Sequence, residues 1–119
     1  MADETILVIE DNLLNLELAK DILRLSGYKV LLATMAEVGI EIAKSELPDL
    51  ILMDLKLPGM SGLDAIKLLK QEPATKHIPI VVLTADAMSD NKQKALESGS
   101  VDYIIKPISM RQFVSQVAN

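Results

Sequence analysis

Ile6-Leu7-Val8-Ile9 runs straight into Glu10-Asp11, and the rest of the chain reads outward from this stretch. Four apolar residues without alternation suit a strand buried on both faces, as in a parallel sheet. The two acids place charge directly at its carboxyl end. The same arrangement recurs twice. Leu50-Ile51-Leu52-Met53 is followed by Asp54, and Ile80-Val81-Val82-Leu83 is followed by Thr84. Two weaker runs complete the set. Val30-Leu31-Leu32-Ala33 ends blandly in Thr34, and residues 101–105 contain Asp102, which suits an edge strand, before Lys106-Pro107.

Helix patterns fill the intervals. Leu14, Leu18, Ile22 and Leu25 recur at helical spacing, which predicts that they face the core, and Gly27 follows as a C-cap. Ala36, Ile40, Ala43 and Leu47 do the same before Pro48. Ser61 with Asp64 resembles a capping box ahead of Leu63, Ile66 and Leu69. Residues 88–98 offer little for burial beyond Met88, Ala95 and Leu96, so a loosely packed helix is expected there. Ser109 is placed to cap a last helix bearing Met110, Phe113, Val114 and Val117. A strand–helix unit repeated five times implies right-handed crossovers, with helices on both faces of one parallel sheet. With no linker or low-complexity stretch, residues 1–119 are expected to form one domain.

Composition narrows the function. The 119 residues carry 17 acidic and 12 basic side chains, a formal net charge of −5, which argues against a nucleic-acid surface. With no Cys there is no disulfide framework, thiolate zinc site or thiol nucleophile. No apolar run approaches the roughly 18 residues of a spanning helix. The acidic start, Met-Ala-Asp-Glu-Thr, lacks signal-peptide features, so a cytoplasmic protein is expected.

In a parallel sheet all strand carboxyl ends lie on one edge, and ligands bind there where strand order reverses. Four strands thus deliver Glu10, Asp11, Asp54, Thr84 and Lys106 toward one crevice. Three clustered carboxylates repel one another, which raises their pKa values or demands a cation. Oxygen ligands without His or Cys favour a hard ion such as Mg²⁺. An ammonium and a hydroxyl nearby suit phosphate oxygens, and a carboxylate is available to accept a phosphoryl group covalently.

Glu10-Asp11, Asp54, Thr84-Ala85 and Lys106-Pro107, each at the end of the right strand, resemble the response-regulator receiver domain, as does the loop Leu57-Pro58-Gly59-Met60-Ser61-Gly62. The resemblance runs from about Thr5 to Val117. It implies a flavodoxin-like doubly wound (βα)5 fold with a parallel five-stranded sheet in the order 2-1-3-4-5. It also implies that Asp54 is the phospho-acceptor, charged from a phosphohistidine on a sensor histidine kinase or histidine phosphotransferase. Asp11 and Asp54 would ligate Mg²⁺ directly, Glu10 through water, and the Lys56 backbone carbonyl would be a further ligand. Lys106 and Thr84 would bind phosphoryl oxygens. Tyr103 would be the switch aromatic, turning inward with Thr84 to reshape a protein-binding face made by the fourth helix, fifth strand and fifth helix. The Lys106-Pro107 bond would be cis. Output would then be contact with a downstream protein effector, without direct nucleic-acid binding or membrane insertion.

Other readings compete. A pseudo-receiver would serve only as an interaction module, but every expected residue type is present. An Asp-nucleophile phosphatase would want an Asp two residues after Asp54, where Lys56 stands. A flavin carrier would want a Ser/Thr/Gly-rich loop after the first strand, where Asp11-Asn12-Leu13-Leu14 stands. Lys56 and Asp86 are expected at the pocket mouth, either paired to hinder water or independently solvated. His77 reads as a surface loop residue. The chain resembles the DivK-type stand-alone receivers, and equally a receiver cut from a hybrid kinase or larger regulator.

Overall fold

The computed structural model describes residues 4–54, 59, 60, 62–84 and 102–105, with side chains through residue 82. Five strands, β1 (Thr5–Ile9), β2 (Lys29–Ala33), β3 (Leu50–Asp54), β4 (Ile80–Thr84) and β5 (Asp102–Ile105), form one parallel sheet in the order β2-β1-β3-β4-β5. Three helices are described: α1 (Leu13–Leu25), α2 (Ala36–Glu46) and α3 (Gly62–Gln71). The expected helices over residues 88–98 and after Ser109 lie outside the described residues.

The three strongest apolar runs are the three interior strands, and each feeds both faces of the sheet. Leu7, Ile9, Ile51, Met53, Ile80 and Val82 join Ala36, Ile40, Ala43, Ala65, Ile66 and Leu69 in one apolar layer under α2 and α3. Ile6, Val8, Leu52 and Val81 join Leu16, Ala19, Ile22 and Leu23 in a second layer under α1. The period-two alternation of strand side chains produces this split. It explains why these strands show no polar face.

The α1 stripe differs from the sequence expectation. Leu16, Ala19, Ile22 and Leu23 are buried, whereas Leu14, Leu18 and Leu25 are exposed. Both sets are apolar at helical spacing, so periodicity alone does not choose between them. The cap and the sheet choose. Asn12 Oδ1 accepts the Asn15 N–H at 3.1 Å, which sets where the helix starts. Small Ala19 then lets the helix lie close on β1. At the other end the Tyr28 N–H donates to Leu23 O (3.1 Å) and the Gly27 N–H to Arg24 O (3.0 Å), a Schellman closure that places Gly27 at φ 95°.

Leu47 also departs from its expected place on the α2 stripe. It is the C-cap residue in a left-handed conformation (φ 50°, ψ 62°) and is 52% exposed. Pro48 accounts for this, because a residue before proline is disfavoured in the right-handed helical region. A non-glycine residue in the left-handed region is strained, and Leu47 buries little in return. Leu47→Gly should therefore stabilise the protein by about 0.5 kcal/mol, the relief of strain outweighing the added freedom of the unfolded chain. A rise in the urea midpoint at unchanged slope is the expected readout.

The entry to β4 is held by two side chains. Buried Thr75 donates from Oγ1 to Leu69 O at 2.7 Å. Lys70 Nζ donates to Ile78 O at 2.7 Å and Lys76 O at 3.2 Å, and burial pulls its ammonium below the usual lysine value. Exposed His77 sits in this connection before β4, as expected, and away from the carboxyl edge of the sheet.

Candidate functional site

The carboxyl edge of the central strands gathers three acids. Glu10 follows β1 directly. Its N–H donates to Ala33 O at 2.9 Å and so extends the β1–β2 ladder by one rung. Its side chain is fully buried, and Oε2 accepts the Asn12 N–H at 3.1 Å, closing the turn into α1. Asp11 sits between them and is exposed. Asp54 is the last residue of β3, pairs in register with Leu83 of β4, and is 5% exposed. One carboxylate oxygen from each of the three lies within 4.8 Å of the others. The site therefore has a buried floor, Glu10 and Asp54, and an exposed rim at Asp11.

The fold makes this cluster unavoidable. Ile9 and Met53 are paired in the β1–β3 register, so the residues just past them emerge side by side. Two like charges at 4 Å repel by about 1 kcal/mol in water and by about 4 kcal/mol at an effective dielectric near 20. Three together form a cluster of negative charge that a cation relieves. The donors are all oxygen, with no His or Cys, which suits a hard divalent ion. Ligand oxygens on one octahedral Mg²⁺ stand about 3–4 Å apart, given Mg–O distances of about 2.0–2.1 Å. The three carboxylate oxygens lie within 4.8 Å of one another, near that separation.

Thr84 closes β4 on the same edge, one register position beyond the Asp54–Leu83 pair, and Tyr103 lies opposite Val82 in the β4–β5 register. Their side chains, and Lys56, Asp86, Lys106 and Pro107 entirely, lie outside the described residues. The structure thus brings together Glu10, Asp11 and Asp54 of the expected site and places the backbone of Thr84 beside them. A neighbour that sequence reasoning missed is Asn12. It caps α1 through its side chain and ties Glu10 down through its backbone. The signal was present as an Asn just ahead of an apolar periodic stretch.

The response regulator receiver domain family matches residues 6–118 of this sequence. The chain belongs to that family. Receivers act in two-component signalling, and switching on phosphorylation is general among them. This receiver is 36% identical over 114 residues to the polar-differentiation response regulator DivK of Brucella ovis, covering 96% of this chain and 93% of the relative. It superposes with a TM-score of 0.87 on the receiver domain of a sensor histidine kinase from Pseudomonas aeruginosa PAO1, at 29% identity and covering 98% and 99% of the two chains. That neighbour holds a magnesium ion coordinated in its active-site cleft. The chemotaxis protein CheY4 of Vibrio cholerae shares the fold with a TM-score of 0.92 at 22% identity, over 97% and 96% of the chains. The doubly wound architecture and strand order expected of a receiver are the ones found here. No helix among the described residues is long and apolar enough to cross a membrane.

Proposed function

We propose that Asp54 is the phospho-acceptor of this receiver and that residues 1–119 act as one phosphorylation-dependent signalling domain. The observation that carries this reading is the convergence of Glu10, Asp11 and Asp54 within 4.8 Å on the carboxyl edge of the sheet. A carboxylate oxygen of Asp54 attacks the phosphorus of a phosphohistidine on a sensor histidine kinase or histidine phosphotransferase. The O–P bond forms as the N–P bond breaks, and the imidazole leaves with the electron pair and takes up a proton. The product is an acyl phosphate, which water cleaves to restore the carboxylate.

Asp11 and Asp54 would hold Mg²⁺ directly, with Glu10 acting through water and the Lys56 carbonyl completing the protein ligands. Bound there, the ion would supply charge neutralisation and alignment for the transferring phosphoryl group. The chain's own groups do the rest. Burial and the Asn12 N–H hold Glu10 in place. The end of β3 holds the nearly buried Asp54 on the strand beside Glu10 and Asp11. Lys106 and Thr84 take phosphoryl oxygens. Tyr103 follows Thr84, and the face of the fourth helix, fifth strand and fifth helix then presents itself to a downstream protein effector. This reading makes the domain a cytoplasmic phosphoprotein of a phosphorelay, assisting its own charging and slow discharge rather than turning over a substrate.

The test is direct. Purified protein with Mg²⁺ and acetyl phosphate should gain one phosphoryl group by intact mass, and EDTA should slow that gain by at least ~100-fold. A protein that stays unmodified with excess Mg²⁺ and phosphodonor is a pseudo-receiver, and the phospho-acceptor reading fails.

A further inference from the structure

Helix α2 buries Ala36, Gly39, Ile40 and Ala43 against the sheet and turns a second apolar row toward solvent. Met35 at its N-cap and Val38 are 42% and 46% exposed, and Ile42 is half-buried against the core layer. The three are spaced three and four apart, so they form one row along two turns of helix. A shallow groove follows this row, lined by Glu37, Val38, Glu41, Ile42 and Ser45.

The groove is framed by acids. At 100° per residue Glu37 and Glu41 stand on one side of the apolar row and Glu46 on the other, and all three are exposed. Lys44 is the one base on the helix. Its Nζ reaches Glu41 at 3.8 Å with both side chains exposed, a long pair that neutralises little. Glu37 has no ion pair among the described residues.

We propose that this face of α2 docks a basic amphipathic helix of a partner protein. The partner's apolar ridge would lie on Met35, Val38 and Ile42, and its lysines or arginines would stand beside Glu37, Glu41 and Glu46. The argument for this occupant is charge complementarity, with three acids and one base around an apolar row on a single helix face. Three-and-four spacing is what a helix in a groove reads. A second copy of this chain would set acid against acid, and the net charge of −5 adds to that repulsion. Nucleic acid and anionic lipid are repelled for the same reason. The N-terminal end of the groove borders the connection that leaves Asp54, since a Cβ on Gly59 would stand 3.4 Å from Glu37 Oε2. The row is short, far below the about 800 Å² per partner of a standard interface, so dissociation in the high micromolar range is expected.

The test is an NMR titration of the ¹⁵N-labelled full chain without Mg²⁺ or phosphodonor, so its failure leaves the phospho-acceptor reading untouched, and the reverse. The probe is an amphipathic leucine–lysine peptide of ~18 residues, about five helical turns. The control is the same peptide with glutamate for lysine. Salt is held at about 0.1 M, where charges beyond about 10 Å are largely screened. Amide shifts should concentrate on Glu37, Val38, Glu41, Ile42 and Ser45, and the control should produce none. Glu37→Lys with Glu41→Lys should weaken binding about 10-fold, and Val38→Ser several-fold, with far-UV circular dichroism unchanged. Glu17→Lys with Asp21→Lys changes the net charge equally on another helix and should leave binding within about two-fold. Shifts centred on Glu10, Asp11 and Asp54, equal binding of the control peptide, or equal weakening by the two charge-reversed variants overturns the proposal. So does wild type that dimerises through α2 at the titration concentration, which would assign the face to a second copy.

Discussion

Asp54→Asn should abolish phosphoryl uptake, lowering the rate with acetyl phosphate by at least ~10³-fold. The amide nearly matches the carboxylate in shape but is far too weak a nucleophile toward phosphorus. Asp54 lies at the end of a buried strand and is itself almost fully buried. The substitution removes one of three neighbouring negative charges, so it should not unfold the protein and should raise its urea midpoint. Loss of function with a gain in stability distinguishes removal of the acceptor from damage to the fold. Intact mass after incubation with acetyl phosphate reads the first effect, and equilibrium unfolding reads the second. Uptake of one phosphoryl group by Asp54→Asn at the wild-type rate would place the acceptor elsewhere.

Gly39→Ala should cost about 1–2 kcal/mol, although alanine is the better helix former by about 1 kcal/mol. Gly39 is the point at which α2 lies on β1. A Cβ there would meet Ile9, at 2.6 Å from Cγ1 and closer still to Cδ1. Ile9 is fully buried, so the helix must lift or the isoleucine must leave its rotamer. Ile9→Ala removes both of those carbons. Alone it should cost about 2–5 kcal/mol. In the Gly39→Ala background it should cost clearly less, a coupling that a double-mutant cycle in urea detects. Because Ile9 immediately precedes Glu10, Gly39→Ala should also slow Mg²⁺-dependent charging, and Ile9→Ala in that background should recover part of it. Additive losses in the cycle would mean that the Gly39–Ile9 contact is not what sets the helix height.

Much of this could be read before any coordinates. Four-residue apolar runs without alternation mark strands that need apolar partners on both faces, and β1, β3 and β4 are the strands whose buried residues enter both layers. An acid directly after such a run must emerge at the sheet's carboxyl edge, so Glu10, Asp11 and Asp54 were legible as a group. What periodicity could not resolve was rotation. On α1 two apolar stripes share Ile22, and of the expected Leu14, Leu18, Ile22 and Leu25 only Ile22 faces the core. Leu47 continues the α2 pattern on paper but is turned out of the helix ahead of Pro48.

The order of the five strands and the three described helices, the parallel sheet and the identity of the clustered carboxylates were determined by the sequence, because local burial patterns and strand-end chemistry suffice for them. Tertiary structure alone decided which face of α1 meets the sheet, how closely Gly39 brings α2 onto Ile9, and that Glu10 and Asp54 are buried while Asp11 stays at the rim. Those outcomes depend on distances between residues far apart along the chain. Such distances are set by how whole elements pack, and no stretch of residues carries them by itself.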